Sequence, residues 1–137
     1  DVNSGDTFTL SDFKGKVVLV EVMATWCPTC FKQARDIKTL KEKLNHDDLV
    51  IVSLDLDFHE AAEDIKSYSQ QFGFTWYYAT PSLVITRAIG NTYGALYIDP
   101  TASPILIIDR NGEVYAPKLG EKNSEILEGL VTPFLQS

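Results

Sequence analysis

Val17-Val18-Leu19-Val20-Glu21-Val22-Met23-Ala24-Thr25-Trp26-Cys27-Pro28-Thr29-Cys30 is the stretch that decides the fold. It opens as an apolar, β-branched run, the pattern of a strand buried on both faces. It closes on the only two cysteines in 137 residues, separated by two residues. From Cys30 onward, Ala34, Ile37, Leu40 and Leu44 recur at three- and four-residue steps with charged residues between them. That spacing predicts an amphipathic helix. Leu49–Leu54 is a second buried strand, so this half of the chain reads as a strand, helix, strand unit with parallel strands.

A vicinal pair at this spacing, following a strand and opening a helix, reads as a redox dithiol. Exchange requires a thiolate. A helix beginning near Cys27 points unpaired N–H groups and the positive end of its dipole at that sulfur, which favours the anion. Pro28 fits a first helical turn. Cys30 lies on the same face and is expected to be the less exposed of the two, so Cys27 should attack and Cys30 resolve. Two other readings stand beside this one. A zinc site needs two more ligands, and only His46 and His59 are available, unpaired. A purely structural disulfide over so short a loop constrains little of the unfolded chain.

Composition narrows the rest. One core fits 137 residues with 45% hydrophobic content, so residues 1–137 read as a single domain. A formal charge of -7 argues against nucleic acid as a partner. No run reaches the roughly 20 apolar residues of a membrane span. The sequence starts at Asp1 without methionine, which leaves open an upstream signal or anchor.

Further along, Glu60–Phe72 reads as a helix stopped by Gly73, and Phe74–Tyr78 as a short strand or packed loop. Thr80-Pro81 reads as the cap and first turn of a helix over Ser82–Tyr93. Ile105–Ile108 and Val114-Tyr115 flank an Asn111-Gly112 turn, and Ser124–Leu135 forms a last helix despite Gly129 and Pro133. The fold class is therefore α/β, a central mixed sheet with helices on both faces. Tyr68, Phe72, Trp76 and Tyr78 are assigned to the core. Asp55, Asp57 and His59 cluster after the second strand. They read as solvated or helix-capping groups in preference to a metal site.

The segment from Val18 to Cys30 resembles the active-site strand and helix start of the thioredoxin superfamily. Phe8-Thr9-Leu10-Ser11-Asp12-Phe13-Lys14-Gly15-Lys16 is similar to the N-terminal hairpin of its TlpA/ResA branch, and the likeness continues through Ser103–Val114. The resemblance implies a thioredoxin-like fold with an N-terminal β-hairpin extension. It implies that Pro104 is a cis-proline facing the sulfurs, with Ser103 pairing to an extended substrate. Against this stands an ordinary trans proline, with Pro100 a weaker competitor for the same role. It also matches Glu21 to the buried Asp of thioredoxins, a proton carrier for the resolving cysteine. Many TlpA-type relatives carry a neutral residue there. Burial in an apolar strand would hold Glu21 protonated, whereas a strand-end Glu would reach solvent or pair with Lys16. Trp26 is expected to cover the active-site surface and touch substrate, or else to pack in the core.

The implied activity is thiol-disulfide oxidoreduction on protein disulfides, in the reducing direction, with the Cys27–Cys30 disulfide as the only redox group and no metal. Catalysis falls to Cys27, Cys30 and Glu21, and substrate binding to Trp26, Pro28, Ser103 and Pro104. Partners are protein thiols and disulfides and an upstream electron donor. The expected form is a monomer outside the cytoplasm, tethered to a membrane, with a cytoplasmic role as the alternative. Oxidant or isomerase action is the alternative within the fold. A peroxiredoxin-type reaction needs a Thr three positions before its cysteine, where Cys27 stands before Cys30. A Sco-type copper chaperone needs wider cysteine spacing and a partner His.

Overall fold

Every residue of the first strand, β1 (Val17–Met23), is buried, and a computed structural model describing residues 1–137 shows why. The elements that follow are α1 (Pro28–Leu44), β2 (Leu49–Asp55), α2 (Ala62–Phe72), β3 (Tyr77–Ala79), α3 (Leu83–Tyr93), β4 (Ile105–Ile108), β5 (Val114–Tyr115) and α4 (Ser124–Leu135). The sheet order is β3-β2-β1-β4-β5, which puts β1 in the middle. β1 runs parallel to β2, and β2 to β3, while β4 is antiparallel to both β1 and β5. A continuous apolar run is what such a central, doubly covered strand requires.

Alternation along the strands divides the core in two. Val17, Leu19 and Met23 of β1 join Ile37 and Leu40 of α1, Ile65 and Tyr68 of α2, and Leu127 and Val131 of α4 in one cluster. Val18, Val20, Val50, Val52, Leu54 and Leu106 form the other, against Phe8, Phe13, Ile89, Tyr93 and Tyr97. Helices thus pack on both faces, as the pattern predicts. Tyr68, Trp76 and Tyr78 are buried as expected, with Phe72 packed against them.

Local departures have local causes. The N-terminal extension has no strand of its own: it makes a 3-10 turn at Leu10–Phe13, and its start docks on β3 through Val2 N–H to the Tyr78 carbonyl (2.8 Å). α2 begins at Ala62 and not at Glu60, because Ala61 is the extended N-cap, its N–H bound by Asp64 Oδ2 (3.1 Å). α3 is capped by Ser82, whose hydroxyl accepts the Ile85 N–H (3.2 Å), leaving Thr80 outside the helix. In the β4–β5 turn only Gly112 takes a positive φ (87°), and Asp109 closes the turn by accepting the Asn111 and Glu113 N–H groups (both 2.9 Å). Arg110 reaches the Gly15 carbonyl, the Asp48 carboxylate and the Leu135 carbonyl, each at 2.8 Å. None of the helices is long and apolar enough to cross a membrane.

Candidate active site

The turn out of β1 delivers Cys27 to the N-cap of α1, with Pro28 as the first helical residue. Cys27 and Cys30 are joined as a disulfide, with their Cα atoms 5.2 Å apart. The Cys27 sulfur accepts the Cys30 N–H (3.2 Å) and lies 3.2 Å from the Thr29 hydroxyl. The Pro100 carbonyl oxygen, an acceptor, lies against both sulfurs but closer to Cys30, at 3.2 Å against 3.8 Å for Cys27. The expected difference in exposure is absent, for Cys27 is 1% and Cys30 2% exposed. A 3-10 turn at Pro100–Ala102 lies over both sulfurs and shields them alike. Their polar neighbours, and not their exposure, make the pair asymmetric.

Position 104 corrects the expectation drawn from the resemblance. No peptide bond is cis, and the carbonyl on the sulfurs belongs to Pro100. Trans is the lower-energy isomer of an X–Pro bond by about 0.5–1 kcal/mol. Here the chain reverses ahead of β4 through Ser103 itself, which adopts left-handed backbone (φ 51°), a region sparsely used by non-glycine residues. Ser103 is buried and turns its N–H inward to the Pro100 carbonyl (3.0 Å), so that donor is not presented to a substrate. Pro104 is buried and its carbonyl accepts the Val22 N–H (3.1 Å), extending the β1–β4 pairing.

Glu21 sits at the centre of β1, 1% exposed, opposite Ser53 on β2. The Ser53 hydroxyl donates to Glu21 Oε1 and accepts the Trp76 indole N–H (2.8 Å). Neither solvent nor Lys16 reaches the carboxyl. Burial outweighs the Ser53 hydrogen bond and pushes the Glu21 pKa up to about 7. Ser53 is in turn opposite Tyr78, so Glu21, Ser53 and Tyr78 form one row across three strands. The Tyr68 and Tyr78 hydroxyls are buried without partners, and burial raises the pKa of both.

Trp26 is 57% exposed, which settles its place on the surface beside the dithiol. Its indole N–H donates to Asp57 (2.8 Å), and Asp57 also accepts the His59 N–H (2.9 Å), both holding its pKa below the usual range. Pro28 and Thr29 are exposed next to it. The sequence reading goes wrong at Asp55, which is not solvated: it is 1% exposed, and burial raises its pKa strongly. Glu60, read there as helical, accepts both the Thr25 N–H (2.8 Å) and the Thr25 hydroxyl. No sequence pattern pairs Glu60 with Thr25, because the contact joins the β1–α1 turn to the β2–α2 loop, 35 residues away.

Gln33 is a second residue that the pattern passes over. Buried on α1, its amide donates to the Lys122 carbonyl and accepts the Lys122 N–H, each at 2.8 Å. The Lys122 ammonium binds the Lys118 and Gly120 carbonyls, and burial lowers its pKa. Gly120 N–H then reaches the Ala102 carbonyl (3.0 Å), so this loop braces the turn over the sulfurs. A lone Gln on the apolar stripe of a helix is the signal that could have found it.

The Redoxin family profile matches residues 2–130. The thiol-disulfide oxidoreductase ResA of Bacillus thuringiensis (strain Al Hakam) is 31% identical over 125 residues, spanning 91% of this chain and 67% of that protein. Among solved structures, a secreted thiol-disulfide isomerase from Corynebacterium glutamicum is similar with a TM-score of 0.81 at 18% identity, covering 97% of this chain and 78% of the other. A thioredoxin-family thiol:disulfide interchange protein from Chlorobium tepidum TLS has a TM-score of 0.77 at 22% identity, covering 93% and 86%. At such identities these two likenesses establish the thioredoxin-like fold.

Proposed function

The chain belongs to the Redoxin family and carries a thioredoxin-fold Cys-x-x-Cys pair, and on that premise we propose that this thiol-disulfide oxidoreductase reduces protein disulfides, Cys27 attacking and Cys30 resolving. The observation that carries the reading is the unequal surroundings of the two sulfurs. Cys27 has two donors aimed at it, the Cys30 N–H and the Thr29 hydroxyl, which stabilise a thiolate once the disulfide opens. Cys30 lies the nearer of the two to the Pro100 carbonyl, 3.2 Å against 3.8 Å, an acceptor that favours a protonated thiol.

In the reaction the Cys27 thiolate attacks one substrate sulfur, and the other leaves as a thiolate that takes a proton from water. Cys30 then loses its proton and attacks Cys27, which releases the second substrate thiol. The substrate disulfide gains two electrons and the dithiol loses them. Glu21 is the general base for Cys30. It is buried on the face of the sheet that carries α1, it has no cationic partner, and its pKa of about 7 lets it accept a proton near neutrality. Trp26, Pro28 and Thr29 offer the exposed contact surface. An upstream donor must return the electrons. We place the domain outside the cytoplasm, a reading supported by its likeness to a secreted thiol-disulfide isomerase, and a topology reporter fused to the full-length gene tests that placement.

Dithiol-dependent reduction of insulin tests the activity. A Cys30→Ser variant should trap a mixed disulfide through Cys27; trapping through the other cysteine in Cys27→Ser would reverse the two roles. Proteins of this fold differ in potential by up to about 150 mV, so direction is read by equilibrating Cys27/Cys30 in glutathione and dithiothreitol buffers. A potential at the oxidising end makes the protein an oxidant.

A further inference from the structure

Two carboxyls that the reaction above does not use meet at the end of β2. Asp55 Oδ1 accepts the Asp57 N–H (2.8 Å), while its Oδ2 is buried with no donor to accept from. Burial, and with it the charge of the neighbouring Glu60 carboxyl, holds the Asp55 pKa above its ordinary value. Two carboxylates cannot bond to each other, but a carboxylate and a carboxylic acid can, and one proton between them gives the orphaned oxygen its partner. The other titratable groups around the pair are Asp57 on the same loop, Tyr68 on α2 and Glu21 two residues along β1 from the Met23 that faces Asp55, with His59 beside Asp57. No lysine or arginine is among them, so nothing nearby would neutralise a second charge.

The same two residues hold the chain immediately ahead of the dithiol. Glu60 binds both polar groups of Thr25, and the loop started by Asp55 places Asp57 against the Trp26 indole. We propose that Asp55 and Glu60 share one proton and so act as a positioning pair, fixing Thr25 and Trp26 beside Cys27 for the docking of a protein disulfide. The proposal rests on the thiol-disulfide reading. Loss of the shared proton leaves two adjacent anions in a mostly buried site. Glu60, which is half-buried, then turns to solvent and releases Thr25. Docking of a folded substrate weakens above neutral pH, while exchange with a small disulfide, which needs no Trp26 surface, does not.

The experiment compares kcat/KM for insulin with that for glutathione disulfide across neutral to alkaline pH, and follows the Thr25 amide and Trp26 indole N–H signals by NMR over the same range. In the unaltered protein the insulin-to-glutathione ratio should fall by about tenfold, the scale of modest misplacement, as both NMR signals shift together. Asp55→Asn supplies a permanent N–H donor to Glu60 and should make the ratio and both signals insensitive to pH. Glu60→Ala should hold the ratio low at every pH. A flat ratio in the unaltered protein, or a pH-dependent one in Asp55→Asn, overturns the proposal. The NMR titration needs no variant, so misfolding of a mutant does not decide the matter. If neither disulfide is reduced but the two signals still titrate together, the functional reading fails and the proton-sharing pair stands.

Discussion

The two faces of the sheet are built from the same strands and differ in kind. Toward α1, α2 and α4, the strands present Glu21, Ser53 and Tyr78 among their apolar residues, with the disulfide in the same cluster. Toward α3 they present Val18, Val20, Val50, Val52, Leu54 and Leu106, with Tyr77 of β3 packed at the edge against Phe8 and Phe13 and no buried carboxyl. Period two makes this possible, since one strand can aim hydrocarbon at one layer and titratable groups at the other. The reactive face gives up some apolar burial to hold groups whose charge can change, and the inert face keeps the sheet together without them.

The sharpest break of that contrast would be reduction of insulin surviving Cys27→Ser, which should abolish turnover. Next in size is the packing itself. Leu40→Ala on the reactive face should destabilise by about 2–5 kcal/mol, and Ile89→Ala, half-buried on the other face, by under about 2, as read from denaturant midpoints. Equal losses would mean that the two layers contribute alike.

Stability against pH tests the buried acid. The Glu21 pKa rises from 4.5 to about 7 on folding, so between those values the folded chain holds a proton that the unfolded chain releases. Stability therefore falls as pH climbs through that window, by about 3 kcal/mol in all, and is flat in this respect above it. Glu21→Gln should make the slope shallower, leaving the part contributed by Asp55, whose pKa burial also raises, and should slow mixed-disulfide resolution while leaving attack by Cys27 nearly intact. A slope that the substitution leaves unchanged assigns all of it to other groups. The smallest effect is expected from Ser53→Ala. Loss of its hydrogen bonds should cost about 1 kcal/mol and move the Glu21 titration upward, since Ser53 is the group that lowers it.

Much of this was legible before any coordinates. The run Val17–Val22 could only be a doubly buried strand, the stripe from Cys30 to Leu44 gave α1, and Glu21 stood out as a carboxyl in hydrocarbon. Each signal is local, carried by period or by a residue type out of place. What escaped was non-local. Glu60 looks helical until Thr25 is beside it, and Asp55 looks like a solvated loop acid until the fold buries it. Pro104 was matched to the sulfurs by its position in a motif. The number of residues needed to turn after α3 decides which carbonyl arrives there, and that carbonyl is Pro100's.

The hydrogen-bond chain that begins at Glu21 ends in a chromophore. Trp76 donates its indole N–H to Ser53, and Ser53 donates to the acid, so a change of charge on Glu21 is felt two hydrogen bonds away by a buried fluorophore. With Trp26 replaced by Phe, the emission of Trp76 becomes an internal pH meter for the proton of Glu21. It would let that proton be timed against mixed-disulfide resolution in a stopped-flow trace, without a label.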